Sequence, residues 1–222
     1  MKALIDKYKG DNRVPNVNAH VHTPYSFSSF DNIEQIFQMA ANESVDVVGI
    51  NDFYTTKGHQ QFFQLSSQYK KYPLFNIEFI GLIEDFQQRG IRVNDPNNPG
   101  RMYFCGKGLR YPFTVSPENR LLLDSLIEES HLQVQKMTEN AARLLAAINK
   151  DIVLTFSWLK DNYATYLVRE RHLAKAIKDL VLQHFKGPQN QKAAFDQLFE
   201  GKALCPILMI LLPLKTRFAP NC

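Results

Sequence analysis

NAHVHTPYSFSSFDNIEQIFQMAANESVDVVGINDF, residues 18–53, decides the fold. Asn18, His20 and His22 alternate with Val17, Ala19 and Val21, the period of two expected of a strand from Val14 to His22, so both imidazoles share one face. Asp31 to Asn42 then reads as a helix. Asp31 stands as N-cap with Glu34 three residues on, and Ile33, Ile36, Phe37 and Ala40 form one apolar stripe. Val45 to Ile50 is a β-branched run of buried-strand type that ends abruptly in the polar pair Asn51 and Asp52.

The same alternation continues outward. A helix is expected from Gly58 to Tyr69 and a strand from Pro73 to Leu82, interrupted by a single charge, Glu78. Strands and helices in turn predict an α/β architecture with a parallel sheet or barrel, whose chemistry gathers at the C-terminal ends of the strands. His20, His22, Asp52 and Glu78 fall there. Gln87 to Phe113 is rich in turn residues and encloses a short strand, Met102 to Cys105. Ser116-Pro117-Glu118 opens a long helix, and further helices are expected at about Thr165 to Phe185 and Asn190 to Phe199. The chain thus divides into a βα part over 14–113, a helical block over 114–202 and an apolar tail over 203–222.

Composition narrows the function classes. A chain of 222 residues, 45% hydrophobic and 22% charged, buries a sizeable core and is not a disordered polymer. Its net charge of +4 is too small for a protein that coats duplex DNA, which leaves nucleic acid only as a substrate. Three cysteines make no disulfide framework, and the N-terminus lacks a signal-peptide run, so a reducing cytoplasm is expected. The tail segment ALCPILMILLPL holds two prolines and is too short for a membrane span. Ala203 to Cys222 reads as foreign to the rest, as a reading-frame shift after Lys202 would make it, and the chain then reads as the front part of a longer protein. Oligomeric state is left open.

The chemistry rests on nitrogen and carboxylate donors. His20-Val21-His22 presents two imidazoles from one strand, and with Glu78 and Asp52 the set suits divalent metal, Zn, Mn or Fe, in a number, one to three, that the residues leave open. Gly106-Lys107-Gly108 lacks the spacing of a phosphate-binding loop, Ser66-Ser67 lacks a paired base, and His59, His131 and His184 read as packing or surface residues.

The ordered set His20-Val21-His22, Tyr25-Ser26, Asn51-Asp52-Phe53 and Glu78 in FNIEFIG resembles the PHP family, the polymerase and histidinol phosphatase domains, over roughly residues 16–82. That resemblance implies a distorted (β/α) barrel, incomplete in this chain, with a metal cluster that hydrolyses phosphoesters. His20, His22 and Glu78 match metal ligands, Asp52 is the expected catalytic carboxylate, and the substrate would be a small phosphorylated metabolite or a nucleotide end. The segment Val168 to Ala176 is similar to an Arg-x-His-x-Ala stretch of a family branch, which implies Arg171 and His172 near the substrate phosphates. Arg101, Lys107 and Arg110 are expected to bring cations to the same phosphate as the turn-rich segment closes over it. Two positions depart from the pattern: Phe27 replaces an Asp and Phe53 a His, and phenylalanine coordinates no cation. A binding or scaffold module with lost ligands is therefore the rival reading.

Overall fold

The three apolar runs become three parallel strands, β1 (Val17–Val21), β2 (Val47–Phe53) and β3 (Tyr72–Leu82). They are joined by helices α1 (Ile33–Asn42) and α2 (His59–Gln68) in a computed structural model that describes residues 13–199. A fourth strand, β4 (Arg101–Gly106), pairs antiparallel with β3, which gives the sheet order β1-β2-β3-β4. The expected parallel series holds for β1 to β3, and the short strand expected within the turn-rich segment runs the other way for a geometric reason. Between β3 and β4 lie only the five-residue α3 (Glu84–Gln88) and turns, and the Ile83 N–H donates to the Gly100 carbonyl at 2.9 Å, so the excursion returns to where it left. Residues 83–100 are long enough for a crossover, but this bond closes them into a loop at the C-terminal end of β3, so the chain re-enters the sheet antiparallel.

Beyond β4 the chain is helical: α4 (Pro117–Ile148), α5 (Phe156–Tyr163), α6 (Glu170–His184) and α7 (Pro188–Leu198). The described residues thus form a mixed α/β fold with a curled half-barrel sheet and seven helices. The apolar tail 203–222 lies outside the described residues. Among those described, no helix is long and apolar enough to cross a membrane.

Local signals account for most boundaries and for the departures. α1 is capped one residue later than expected: Asn32, not Asp31, accepts from the Gln35 N–H at 2.9 Å, and Gln35 Oε1 reaches back to the Asp31 N–H at 2.9 Å. Ser116 caps α4 as expected, by accepting from the Asn119 N–H. α5 was not anticipated; Thr155 starts it by accepting from the Trp158 N–H. α6 begins at Glu170 rather than near Thr165, because Arg169 is extended, with φ −122° and ψ 161°, and serves as its N-cap, while the residues before it bond to other parts of the chain. Leu167 N–H donates to the Tyr25 carbonyl at 3.0 Å and Val168 N–H to His131 Nε2 at 3.1 Å.

Apolar side chains of one parity, Val21, Val48, Ile50 and Phe75, pack the sheet onto Ile33, Ile36, Phe37 and Ala40 of α1 and Phe62 of α2. Phe37 and Phe62 are fully buried with ring centroids 4.7 Å apart, each burial contributing about 1.5–3 kcal/mol. A second core, with Val134, Leu145, Leu159, Val168, Ala176 and Val181, holds α4 to α7 together. Tyr54, Ile127 and Leu167 form the seam between sheet and helices.

One irregularity lies beside the histidines. Asn18 pairs with Val48 and Val21 with Ile50, so β1 carries one extra residue across Ala19-His20, a bulge that re-aims the side chains next to it. Gly49 opposite is what allows it, since a Cβ there would fall 2.6 Å from the Ala19 carbonyl oxygen, and neither backbone has room to yield. Gly49→Ala is therefore expected to destabilise the fold by about 1–3 kcal/mol, as overpacking does, measured as a lower urea midpoint by circular dichroism. An unchanged midpoint would show that β1 shifts freely.

Candidate metal centre

Strand register assembles the site. Asn51 lies opposite Asn76, Phe53 opposite Glu78 and Glu78 opposite Cys105, so these residues share the sheet face turned away from α1 and α2. His20 and His22 join them from the end of β1. His20 Nε2 and His22 Nε2 are 3.3 Å apart, and Glu78 Oε2 lies 3.1 Å from the first and 3.2 Å from the second. An ion bound tetrahedrally at 2.0–2.1 Å holds its ligand atoms about 3.3 Å apart, and an octahedral ion holds adjacent ones about 3.0 Å apart. The three atoms therefore fit one face of either polyhedron, and they form the candidate cation-binding group among the described residues.

The electrostatics match that use. Glu78 is only 5% exposed; burial works against its charge, yet hydrogen bonds and charge from His22 and His20 hold its carboxyl below the usual range. Burial pushes the His20 imidazole below its ordinary value, helped by His22 and Lys107 and opposed by Glu78, which favours the neutral ring that a ligand must be. His22 is held differently. Its ring stacks on Phe53 with centroids 4.8 Å apart and planes 13° apart, while its buried Nδ1 has no hydrogen-bond partner among the described residues.

Asp52, the expected catalytic carboxylate, faces the other way, with Val48 and Ile50. It is fully buried and accepts from Thr23 N–H at 2.7 Å, Thr23 Oγ1 at 2.5 Å and Ser26 Oγ at 2.6 Å. Burial pushes its carboxyl up, against the hydrogen bonds from Ser26 and Thr23. Those three donors pin the turn that follows His22.

The expected phosphate contacts divide. Lys107 reaches the site, its Nζ donating to Asn51 Oδ1 and the Ala19 carbonyl at 3.2 Å each. Arg101 is tied to Asp95 at 3.4 Å and lies over the Tyr103 ring, and Arg110 is exposed. Arg171 sits over Phe27 at 5.0 Å, and His172 meets the same ring edge-on at 5.5 Å. His172 is itself a capping residue: its Nδ1 accepts from the Arg169 N–H at 2.9 Å, and burial pushes it down to about 4. Burial likewise lowers His59 to about 4, its Nε2 donating to the Asn76 carbonyl at 3.2 Å.

Three residues escaped the sequence reading. Asn51 donates through Nδ2 to Glu78 Oε2, His20 Nε2 and Cys105 Sγ at 3.0, 3.0 and 3.4 Å. Cys105 closes that side of the site. Arg169 lies 4.5 Å over Phe53, on a guanidinium paired twice with Glu170 at 2.9 and 3.2 Å. Strand parity was the signal for Asn51; Cys105 and Arg169 had none, because their contacts depend on the β3–β4 register and on how α6 docks.

No family model matches the chain, and no curated protein matches it by sequence. Its structure is similar to that of a Bifidobacterium adolescentis protein classed as a metal-dependent phosphoesterase, with TM-score 0.51 and 15% identity over 87% of this chain and 58% of that one. It is also similar to an amidohydrolase from Chromobacterium violaceum, solved with bound sulfate and no metal, with TM-score 0.51 and 13% identity over 81% of this chain and 54% of the other. At these identities the likeness is one of fold. The chain spans a little over half the length of the two solved structures.

Asp52→Asn is expected to lower stability by about 2–3 kcal/mol in urea unfolding, as hydrogen bonds to a buried charge are lost, without changing metal stoichiometry. Lost metal at unchanged stability would make Asp52 a ligand instead. Acid tests the buried imidazoles. The unfolded chain takes up protons at His59 and His172 near the ordinary 6.5, whereas the folded chain does so only near 4, so acid favours unfolding. Stability should be at its plateau above pH 6.5 and fall from there towards pH 4, and His59→Asn should flatten that fall in urea midpoints taken across the range. An equal fall in the variant would acquit His59.

Proposed function

We propose that this chain is a PHP-type metal-dependent phosphoesterase module in which His20 Nε2, His22 Nε2 and Glu78 Oε2 hold one divalent ion. The convergence of those three atoms within 3.3 Å of one another carries the reading. The substrate is a small phosphorylated metabolite or a nucleotide end, met in the cytoplasm and without duplex DNA binding. When bound, the ion supplies Lewis acidity toward a phosphoryl oxygen.

The chain's own residues do the remainder. Lys107 spends two N–H groups on Asn51 and Ala19 and keeps a third for an anion at the mouth of the site. Phe27 and Phe53, where the resemblance implies ligands, supply none and carry Arg171 and Arg169 on their faces, which favours one ion over three. The sulfate in the Chromobacterium violaceum neighbour supports an anion as the ligand class. Zn, Mn and Fe all suit the donors.

Metal analysis of the purified chain, coupled to hydrolysis of a chromogenic phosphoester with added Mn or Zn, tests the proposal. The expected result is one ion per chain, with metal-dependent activity. His20→Ala should lower metal affinity by more than about 10-fold and abolish that activity. Bound metal below stoichiometry, with no activity that His20→Ala removes, would favour the non-catalytic binding module.

A further inference from the structure

Asn51 is buried completely at the end of β2 and stands where a cation would be expected to stand. Its Nδ2 has a carboxylate oxygen of Glu78 at 3.0 Å, the imidazole Nε2 of His20 at 3.0 Å and the thiol of Cys105 at 3.4 Å. These are three metal-ligating atom types around one point. On the other side of the amide, Lys107 Nζ donates to Oδ1 at 3.2 Å. The amide orientation is fixed by these neighbours. Reversed, it would set NH2 against the ammonium and a carbonyl oxygen against the carboxylate, two repulsive contacts in place of two hydrogen bonds. Lysine charge on Oδ1 polarises the amide and strengthens donation from Nδ2, so part of a positive charge is delivered to Glu78 without an ion.

We infer that Asn51, polarised by Lys107, fills a second cation position bounded by His20, Glu78 and Cys105, and so restricts the centre to one ion. The inference rests on the reading that His20, His22 and Glu78 hold that ion. Hydrogen counting agrees with it. Nδ2 has two hydrogens and three acceptors, and commitment of the His20 lone pair to an ion leaves two acceptors, Glu78 and Cys105, for two hydrogens. An ion draws its ligands in to about 2.0–2.3 Å, so a second one enters only if the amide nitrogen is replaced or turned away.

Co(II) titration of the full chain tests this, with stoichiometry from elemental analysis after desalting and Cys105 ligation from thiolate-to-cobalt charge transfer in the near ultraviolet. Wild type should bind one ion with no thiolate band. Asn51→Asp removes the donor and adds a ligand, so it should bind two ions and show the band, and a further Cys105→Ser should remove the band. Lys107 is exposed, and Lys107→Glu should turn the amide so that Oδ1 faces Glu78, again raising the stoichiometry from one to two with the band. A folded Asn51→Asp protein with one ion and no band overturns the inference; where that variant fails to fold by circular dichroism, one ion and no band in Lys107→Glu overturns it. Two ions or a thiolate band in wild type also overturns it. Wild type that binds no ion refutes the metal centre itself, and with it this inference.

Discussion

A carboxylate taken out of water must be surrounded by donors, and two such groups, Asp52 and Glu78, sit on opposite faces of adjacent strands. Asp52 draws in Thr23 and Ser26, so the turn after β1 closes only when the sheet has formed and His22, one residue before Thr23, is placed with it. Glu78 draws in His20, His22 and Asn51. Removing one partner of a buried charge costs about 3–5 kcal/mol, because the charge remains. Folding of the sheet and assembly of the centre are therefore one event. The bulge in β1 and the bare Cα of Gly49 belong to the same constraint, since they set how closely His20 can approach Glu78.

The helical block enters this arrangement through aromatic rings. Phe53 lies between His22 on one side and the Arg169 guanidinium on the other, and Phe27 carries Arg171 and His172. Arginine over an aromatic face is attracted by the ring quadrupole, by about 2 kcal/mol when desolvated, and Arg169 is 6% exposed. Glu170 neutralises it, with both charges holding one another ionised despite burial. The first turn of α6 is thus anchored at the two ring positions that cannot bind metal, which ties α4 to α7 to the centre without any ligand of their own.

Periodicity carried most of the fold that could be read in advance. The parallel strands, α1, α2 and the proline start of α4 follow from local pattern, which depends on residues a few positions apart. β4 reversed direction because the path of residues 83–100 is set by contacts such as Ile83 with Gly100, which no window of sequence contains. In the site, H-x-H and the lone Glu78 stood out because charged and imidazole groups are rare in buried strands. The side of the sheet that Asp52 takes was legible in its parity. It follows Val48 and Ile50 onto the core face, while Asn51 and Phe53 point to the opposite one. Cys105 required the β3–β4 register, and Arg169 the docking of α6; both are tertiary facts.

His22 shows how such a stack changes a ligand. A metal-binding imidazole ordinarily passes its second ring nitrogen to an acceptor, which fixes both ring orientation and tautomer. Here Phe53 fixes the orientation by stacking, and the buried Nδ1 meets no partner among the described residues. With the proton on Nε2, the ring donates to Glu78 and buries only a lone pair at Nδ1. With the proton on Nδ1, Nε2 is free for an ion but a donor is buried unsatisfied, at a cost of about 1–3 kcal/mol. On the proposed reading, an ion would first have to pull His22 into its less favourable tautomer. Set against the 10 kcal/mol or more available from a tight zinc site, that cost lowers affinity by roughly one to two orders of magnitude without preventing binding. The Phe53 stack thus holds the His22 ring in place while weakening the grip it would have on an ion.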